Sequence, residues 1–385
     1  MHATTPSGVL SVLHTESSTG WGGQENRTLN EMLAMRRLGW RCLVACRPGA
    51  ILGKRAKTEG FAVHEINMRG FANIPAMFGL RHLMRREEVT VVNTHSGRDN
   101  QLACMAAHSL IGKRPILVRT RHLALPISSR LGYCLLPDHV VTVSNYVRRY
   151  IQSEGIAGER VTAVATGIDL SLYQCSSDEE SNNDSDLRTE LGLPANTLLV
   201  GTIAILRKKK GHADLLSAIP QVLQYNSNAH FIFAGDGPQM HNIRRQIADN
   251  GLQSRVHLLG LRKDVINILR HLDIFVLPTH QEALGTAFIE AGAMRLPTIG
   301  TTVDGVPEVI VDGATGLLTP PHNPPALAAA IGKLLAAPEL RRRMGEAARA
   351  RVEKLFSQHA MGKAMQAVYE KLLHNDVKPG ALVNN

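Results

Sequence analysis

The sequence predicts an α/β protein built from two doubly wound parallel-sheet domains. Short, nearly continuous apolar runs rich in β-branched residues alternate with longer amphipathic stretches from one end of the chain to the other. This pattern is typical of parallel strands that are buried under helices on both faces of a sheet. The length of 385 residues exceeds the usual size of one domain, so two domains are expected.

The strand candidates are spread over both halves of the chain. In the front half they are "GVLSVLHT", "RCLVACRP", "VTVVNTH", "PILVRTRH" and "DHVVTVS"; in the back half they are "TLLVGTIAIL", "HFIFAGDG", "RVHLLG" and "IFVLPT". Because residues 175–186, "CSSDEESNNDSD", are acidic and almost free of apolar side chains, we expect an exposed linker there. The predicted division is residues 1–170, a linker or insertion at 171–194, a second domain at 195–356, and a C-terminal helix and tail at 357–385 that packs on the first domain.

Composition and targeting signals indicate an ordinary globular protein. The chain is 44% hydrophobic and 20% charged, and no apolar run is long enough to span a bilayer. The N-terminus lacks the basic start and apolar centre of a secretory signal, and the five cysteines fit no disulfide or zinc spacing. We therefore expect the protein in the reducing cytoplasm.

The net charge of +10 lies entirely in the front half. Residues 1–168 carry 21 Lys+Arg against 11 Asp+Glu, whereas the remaining residues carry 22 of each. Such asymmetry indicates a surface that meets phosphate, in nucleic acid, anionic lipid or a charged glycan, or else a well-solvated face. Only 4% of the residues are aromatic and none interleave the basic runs, so we predict no nucleic-acid partner.

A glycine-rich loop follows the first strand. In "HTESSTGWGGQENRTLNEMLAMRRLG", Gly20, Gly22 and Gly23 precede a predicted helix that stops at Gly39. The loop is either a pocket for an anion or a sugar, or a plain tight turn. It is not the dinucleotide fingerprint, because Glu25 stands where the third glycine would be.

A helix in the back half carries two carboxylates eight positions apart, in "HQEALGTAFIEAGAMRLPTIG". If the helix begins near Gly285, the free N–H groups of Gly285, Thr286 and Ala287 form an anion site suited to a diphosphate. Glu282 then lies just before the helix and Glu290 inside it. In the alternative without a ligand, Glu282 caps the helix and Glu290 is a solvated surface residue. The apolar neighbours of Glu290 argue against this, because a buried carboxylate needs a partner.

The sequence resembles the retaining glycosyltransferases of the GT-B architecture, in which two Rossmann-like domains face each other across a cleft, and within them family 4. The motifs that carry the resemblance are "GWGGQE", "TGID" at 166–169, "KGHADLL", "FAGDGP" and the long stretch from "DIFVLPTHQEALGTAFIEA" to "GATGLLTP". The resemblance implies a front domain that binds the acceptor and a back domain that binds a nucleotide-sugar donor.

The resemblance also implies roles for individual residues. Glu282 and Glu290 match the family's E-x7-E motif, the first facing the donor sugar and the second its ribose. Lys210 matches the lysine that contacts the donor diphosphate. The remaining donor-binding matches are Gly22 and Gly23 in the first loop, and Gly285, Thr286 and Ala287 at the helix start. In one departure from the family pattern, Ile205 stands at the position of a common arginine, and we expect Arg207 to replace it.

Polar residues also gather at strand ends in the front half. His122 resembles the family histidine that faces the reacting sugar, so we assign it a catalytic role together with Glu282 and Lys210. His95, Arg119 and Arg121 are candidates for the acceptor side, although a lone histidine such as His95 is more often structural.

No cofactor or metal is expected in the transfer itself. The helix amides with Lys210 and Arg207 can stabilise a departing nucleoside diphosphate without a metal ion. Asp184-Ser185-Asp186 mimics a metal-binding D-x-D but lies in the acidic linker, so we attribute it to chance. The resemblance implies retention of anomeric configuration, and we favour front-face attack with His122 orienting acceptor or sugar.

The acceptor has to be inferred from the front half. Residues 79–89, "GLRHLMRREEV", join three arginines to Leu80, Leu83 and Met84, as expected of a helix on anionic lipid, or equally of an ordinary surface helix. We predict contact with the inner face of the cytoplasmic membrane and a glycan or lipid-linked acceptor, such as a lipopolysaccharide core. A nucleotide-sugar epimerase on the same fold is the alternative enzyme.

Overall fold

The protein is described by a computed structural model that covers residues 10–123, 125–127, 130–174 and 186–376. The chain forms two compact units. The first unit combines residues 10–168 with 357–376, and the second unit comprises residues 169–356, each within the described ranges.

The first unit is built on a parallel sheet in which the seven strands have the order β3-β2-β1-β4-β5-β6-β7. The strands are β1 (Ser11–Glu16), β2 (Arg41–Cys46), β3 (Ala62–Glu65), β4 (Val91–Thr94), β5 (Ile116–Arg121), β6 (His139–Thr142) and β7 (Val161–Ala163). The helices between them are α1 (Gly23–Arg37), α2 (Ile51–Thr58), α3 (Ile74–Arg86), α4 (Gly97–His108), α5 (Leu131–Cys134) and α6 (Asn145–Ser153).

Both faces of this sheet are covered, as the alternation of side chains along β1 requires. Val12 points into an apolar cluster with Met32 of α1, whereas the next residue, Leu13, points into a second cluster with Leu80 of α3 and Leu102 of α4. With both faces buried, polar groups that must reach solvent or a ligand are left to the ends of the strands.

The second unit repeats this plan with six parallel strands in the order β10-β9-β8-β11-β12-β13. The strands are β8 (Leu198–Ile203), β9 (Ala229–Ala234), β10 (Val256–Gly260), β11 (Ile274–Val276), β12 (Thr298–Thr301) and β13 (Gly316–Thr319). The helices are α7 (Leu187–Glu190), α8 (His212–Tyr225), α9 (Met240–Asp249), α10 (Val265–His271), α11 (Thr286–Ala293), α12 (Val306–Val309), α13 (Pro324–Leu335) and α14 (Pro338–Leu355).

The predicted fold class is confirmed, since both units are Rossmann-like parallel sheets with helices. All nine strand candidates form strands, but the sequence reading missed β3, β7, β12 and β13. Strands β3 and β7 lie at the edges of their sheet and are four and three residues long. Strands β12 and β13 are four residues long and contain Gly300 and Gly316. Such runs carry too little apolar periodicity to stand out.

The predicted linker is only partly within the described residues, because 175–185 lie outside them. Its flanks are packed in the second unit. Tyr173, in a 3₁₀ turn over Leu170–Tyr173, is buried, and so is Leu187 of α7. Arg188 forms an ion pair with Asp273, with 2.8 Å between Nη2 and Oδ2. The residues on either side of the acidic stretch therefore belong to the second unit's core.

Helix α3 corrects one expectation. Leu80, Leu83 and Met84, expected to face lipid, are buried in the first unit because they lie on the side that packs with α4. The apolar side chains that this segment exposes are instead Ile74 and Phe78, at 61% and 55%. No helix of the described ranges has both the length and the apolar composition needed to cross a bilayer.

The last described helix, α15 (Gln358–Asp376), belongs to the first unit and packs against α1. It covers a charged side chain, because Arg27 of α1 is fully buried and donates to the sulfur of Met361 with Nη1 at 3.0 Å. Arg27 also pairs with Glu31 at 3.7 Å, and the Tyr369 hydroxyl donates to Glu31 at 2.8 Å. Helix α15 thus closes a buried polar network as well as an apolar core.

We predict that Arg27→Met destabilises the protein by about 3 kcal/mol, because it leaves the buried Glu31 carboxylate without its cation. The measurement is the free energy of unfolding in urea. The double variant Arg27→Met/Glu31→Gln should recover much of that loss, since it removes the unpaired charge as well. Equal stability of the single and double variants would contradict the inferred coupling between Arg27 and Glu31.

Candidate functional site

The N-terminus of α11 lies at the carboxyl edge of the second sheet, with Gly285 buried and Thr286 and Ala287 half-buried. Gly285 caps the helix with φ 101°, a left-handed conformation in which a side chain is strained, and no side chain caps the turn. The ring of Phe288 packs edge-on against Phe275 with centroids 5.7 Å apart, which fixes the first turn on the sheet. The backbone N–H groups of Thr286 and Ala287 therefore begin a helix whose positive end is available to an anion.

Lys210 and Glu282 form an ion pair beside this helix start. Both side chains are about one-fifth exposed. Lys210 ends a 3₁₀ turn over Lys208–Lys210, and Gly211 follows at φ 70°. A Cβ at Gly211 would collide with the carbonyl oxygen of Pro278, so glycine is what lets the Lys210 loop approach the segment that carries Glu282.

The backbone around Glu282 is held by a neighbouring loop. The Glu282 N–H donates to Oδ2 of Asp304 at 2.9 Å, and its carbonyl accepts from the Gly305 N–H at 3.0 Å. On the other side, the His280 N–H donates to the Lys209 carbonyl at 2.7 Å. Because its backbone is tied at both ends, Glu282 is presented in a fixed position rather than on a free loop.

Glu290 lies one turn further along α11 in a very different setting. Burial raises the pKa of Glu290 to about 7, while a hydrogen bond from the Tyr173 hydroxyl lowers it. Tyr173 is itself buried, and burial followed by the Glu290 charge raises the pKa of Tyr173. Glu290 can therefore change its charge near neutral pH, with one of its hydrogen bonds already provided by Tyr173.

Residues 204–207 lie beyond the end of β8, where the chain bends and the Arg207 N–H donates to the Ile205 carbonyl at 2.7 Å in a tight turn. Ile205 is 48% exposed, Leu206 is buried, and Arg207 is exposed with an extended backbone. Strand β8 ends at Ile203, so Arg207 reaches solvent from a turn beyond the strand.

Three histidines form a buried chain at the carboxyl edge of the first sheet. His14 Nδ1 lies 3.0 Å from His95 Nε2, and His95 Nδ1 lies 3.0 Å from His122 Nε2. All three side chains are less than one-tenth exposed. Burial lowers the pKa of His14, and it lowers the pKa of His95 and of His122 well below the usual range. The three rings are therefore neutral at pH 7.

The chain of neutral rings fixes which nitrogens carry protons. Each neutral imidazole has one N–H and one lone pair, so all three rings must donate in the same direction. His14 Nε2 is buried with no partner among the described residues. A lone pair is less costly than an N–H in that place, so we infer that His14 donates to His95 and His95 to His122. His122 then carries its own proton on Nδ1.

A further carboxylate lies beside this chain and was missed by the sequence reading. Glu16, at the end of β1, is fully buried and accepts from the Ser18 N–H at 2.8 Å and from Gln24 Nε2 at 2.5 Å. Burial, followed by the charge of Asp99, raises the pKa of Glu16 to about 8. Glu16 thus braces the glycine loop from within, as a largely protonated group at neutral pH.

The glycine loop itself leads directly into α1. Gly22 is the residue before the helix and has an extended backbone, so its φ of −159° does not require glycine. A Cβ at Gly23 would meet no atom within 4 Å. There is open space beside Gly23, so these two glycines leave room at the start of α1.

The two arginines proposed for the acceptor side differ from each other. Arg119 is 7% exposed, donates to the Gly132 carbonyl at 2.6 Å and lies over the ring of Tyr133 at 3.7 Å. These contacts hold its guanidinium inside the first unit. Arg121 is half-buried and donates to the Leu125 carbonyl at 2.5 Å.

The structure brings the predicted residues together in two groups. Lys210, Glu282 and the start of α11 form one group in the second unit, and His95 with His122 forms part of the other in the first unit. The residues that sequence reasoning missed are Tyr173, Asp304, His14 and Glu16. Only Asp304 carried a local signal, since Asp-Gly is a turn dipeptide; the others depend on contacts between distant segments.

Two family models match the chain, one in each half. Residues 183–351 match the model described as "Glycosyl transferases group 1", and residues 21–172 match "Glycosyltransferase Family 4". The matched residues include the Lys210–Glu282 pair in the back half and all of β4 to β6 in the front half.

Curated relatives carry glycosyltransferase names. The chain is 32% identical to an alpha-D-kanosaminyltransferase from Streptomyces kanamyceticus over 49% of each protein. It is 25% identical to an N-acetyl-alpha-D-glucosaminyl L-malate synthase from Bacillus anthracis, over 77% of this chain and 78% of that protein. The chain therefore aligns with about half the length of the first of these relatives and with most of the second.

A solved structure has the same fold. The Anabaena protein HepE, in complex with UDP and glucose, superposes with a TM-score of 0.79 over 94% of this chain and 100% of that chain, at 20% identity. With a group 1 domain in its back half, a family 4 domain in its front half and two Rossmann-like sheets, the chain belongs to the glycosyltransferases of the GT-B fold.

Proposed function

We propose that the protein is a retaining glycosyltransferase that moves a sugar from a nucleoside-diphosphate sugar to a glycan or a lipid-linked glycan. The observation that carries this proposal is the Lys210–Glu282 pair beside the uncapped N-terminus of α11. Lys210 can bind the donor diphosphate, and Glu282 can accept hydrogen bonds from the hydroxyls of the donor sugar. The dipole of α11 can stabilise the negative charge that grows on the diphosphate as it leaves.

The diphosphate binds at the start of α11. The N–H groups of Gly285, Thr286 and Ala287 and the helix dipole favour an anion there, and Lys210 supplies a full charge. Arg207 is exposed beyond the end of β8 and adds a second cation. Because these groups are already in place, they stabilise the charge of the leaving nucleoside diphosphate with little rearrangement.

The two carboxylates divide the rest of the donor between them. Glu282 is held by its backbone and accepts hydrogen bonds from the donor sugar once Lys210 turns to the phosphate. Glu290 accepts from the ribose diol, with the Tyr173 hydroxyl orienting it. This division explains why one carboxylate is paired with a cation and the other is not.

The reaction proceeds by attack of the acceptor on the same face of the sugar that the nucleotide leaves. Glu282 accepts hydrogen bonds from the sugar hydroxyls, so it is not offered as a nucleophile. His122, with its proton on Nδ1, donates a hydrogen bond that orients the acceptor or the sugar. Attack at the anomeric carbon, departure of the diphosphate and transfer of the acceptor proton to the leaving phosphate oxygen complete the exchange.

The acceptor is a glycan of the cell envelope, such as a lipopolysaccharide core, presented at the inner face of the cytoplasmic membrane. Support comes from the +10 charge of residues 1–168 and from exposed apolar residues near the start of α3. Phe71, Ile74 and Phe78 are each more than half exposed, and Arg85, on the same side of α3 as Ile74 and Phe78, is exposed as well. Aromatic and basic side chains together favour an anionic interface.

An epimerase on the same fold is the alternative function. It would return an altered sugar nucleotide and use no acceptor. The names of two relatives, an alpha-D-kanosaminyltransferase and an N-acetyl-alpha-D-glucosaminyl L-malate synthase, support transfer rather than epimerisation.

The first experiment measures donor-nucleotide binding. We expect one of UDP, GDP or ADP, at about 100 times its Kd, to raise the melting temperature by about 5 °C or more, because it binds only the folded protein. Lys210→Ala should abolish this increase, and Lys208→Ala, an exposed neighbour, should retain it. If no nucleotide raises the melting temperature of the wild type, the proposed donor site is wrong.

Product analysis then separates the two enzymes. With the donor so identified and an envelope glycan as acceptor, NMR should show free nucleoside diphosphate and a product with the donor's anomeric configuration. An altered sugar nucleotide without acceptor would instead establish the epimerase. Recovery of a sugar covalently attached to the protein would contradict front-face attack.

Nucleotide binding should strengthen as pH rises through about 7, the raised pKa of Glu290. The carboxylate accepts two ribose hydroxyl hydrogen bonds only when it is deprotonated, so its protonated form binds more weakly. We expect the Kd to fall several-fold between pH 6 and pH 8 in calorimetry. The Glu290→Gln variant should bind the nucleotide weakly, and its Kd should change with pH only through titration of the nucleotide itself. If the Kd of that variant changed with pH as steeply as the wild-type Kd does, Glu290 would not be the ribose-binding residue.

Membrane contact is tested by flotation with vesicles. We expect the wild type to float with vesicles that contain anionic lipid and not with neutral ones. The double variant Phe71→Ser/Phe78→Ser should lose flotation, while Leu172→Ser, at a residue in the second unit that is 61% exposed, should not. Equal flotation with neutral and anionic vesicles would count against the proposed interface.

A further inference from the structure

The second unit contains a cluster of two histidines and an aspartate that the proposed reaction does not use. His280 follows β11, His322 follows β13, and Asp214 lies in the first turn of α8. One oxygen of Asp214, Oδ2, lies 2.8 Å from Nε2 of His280 and 3.9 Å from Nδ1 of His322. The three ligand atoms all lie within 4.8 Å of one another.

We propose that Asp214, His280 and His322 form a binding site for a divalent transition-metal ion, with Zn²⁺ as the representative ion. Two imidazole nitrogens and a carboxylate oxygen are a ligand set that zinc accepts. This ion is separate from the transfer chemistry proposed above, which uses none.

The distances suit a tetrahedral ion. Ligands about 2.0–2.1 Å from zinc stand about 3.3 Å apart along each edge of a tetrahedron. The two distances from Asp214, 2.8 and 3.9 Å, bracket that value. Both contacts meet the same oxygen, which points the two nitrogens at one place rather than at opposite ends of the carboxylate.

The environment also favours an ion. The rings of His280 and His322 are in contact, with centroids 3.7 Å apart and planes tilted by 38°, so the two side chains meet at one place beside Asp214. His322 is 67% exposed and its backbone has φ 55°, so the ion can enter from solvent and a water can complete the coordination.

The position of the cluster gives the ion a structural effect. His280 is joined to the Lys209 carbonyl by its N–H, and Glu282 lies two residues further along. Metal binding would connect the start of α8, the segment that carries Glu282 and the loop after β13. We therefore expect the ion to stabilise the second unit by linking these three segments.

The test uses the untagged full chain after treatment with a chelator. Zinc is titrated against a chromophoric competitor, and Co²⁺ is added to a second sample to detect tetrahedral coordination by visible absorption. We expect one Zn²⁺ per chain and a higher melting temperature in its presence. His280→Ala and His322→Ala should each weaken binding by at least about 10-fold.

His241→Ala is the matched control, because His241 is an exposed histidine of the same unit outside the cluster, and its zinc affinity should equal that of the wild type. His322 is exposed, so its replacement should leave the folded structure intact in circular dichroism. Zinc binding that survives both His280→Ala and His322→Ala, or that is absent from the wild type, overturns the proposal. None of these measurements depends on sugar transfer, so a negative result for the metal site would leave the proposed function untouched, and the reverse also holds.

Discussion

The architecture of both units depends on one constraint: a parallel sheet covered by helices on both faces leaves only the ends of its strands for polar chemistry. In the first unit, the alternation of Val12 and Leu13 commits both sides of β1 to apolar clusters. The residues that follow the strands do not have to fill the apolar core and can therefore be polar. His95, His122, Lys210 and Glu282 all lie at or just beyond the end of a strand or of its following loop. Close-packed sheets thus concentrate function at one edge.

Sequence reasoning identified what is encoded locally. Nine strands could be predicted from their apolar, β-branched runs. The start of α11 at Gly285 and the polar residues around it could also be predicted, because a glycine, a helix and two glutamates lie within one short stretch. The paired position of Lys210 against Glu282 is not local, since 72 residues separate them. Resemblance to a family assigned each residue to the donor separately and did not predict their ion pair; the structure supplies the physical reason for the pair, a glycine that allows close approach.

Other features could not be predicted because they arise from packing between distant segments. The amphipathic pattern of α3 was recognised, but a pattern cannot tell a neighbouring helix from a membrane, and α4 covers the face that was assigned to lipid. The surroundings of Arg119 were likewise not predictable. Its charge suggested that the side chain contacts solvent or a ligand, whereas Tyr133 and the Gly132 carbonyl enclose it. The histidine chain shows the converse, because His14 has no local motif and acquires its position only from the pairing of β1 with β4.

The order of segments along the chain has a consequence for biosynthesis. Residues 169–356 are inserted between the body of the first unit and its final helix, so a ribosome releases the second unit complete before it releases α15. Until then Arg27 and Glu31 lack the side chains of Met361 and Tyr369 that enclose them, and the N-terminal segment remains an unfinished core with an open groove. Vectorial synthesis therefore favours maturation of the later unit first, reversing the usual N-terminal-first order of multidomain folding. Truncation after residue 356 would remove this enclosure, although no strand of the first unit would be lost.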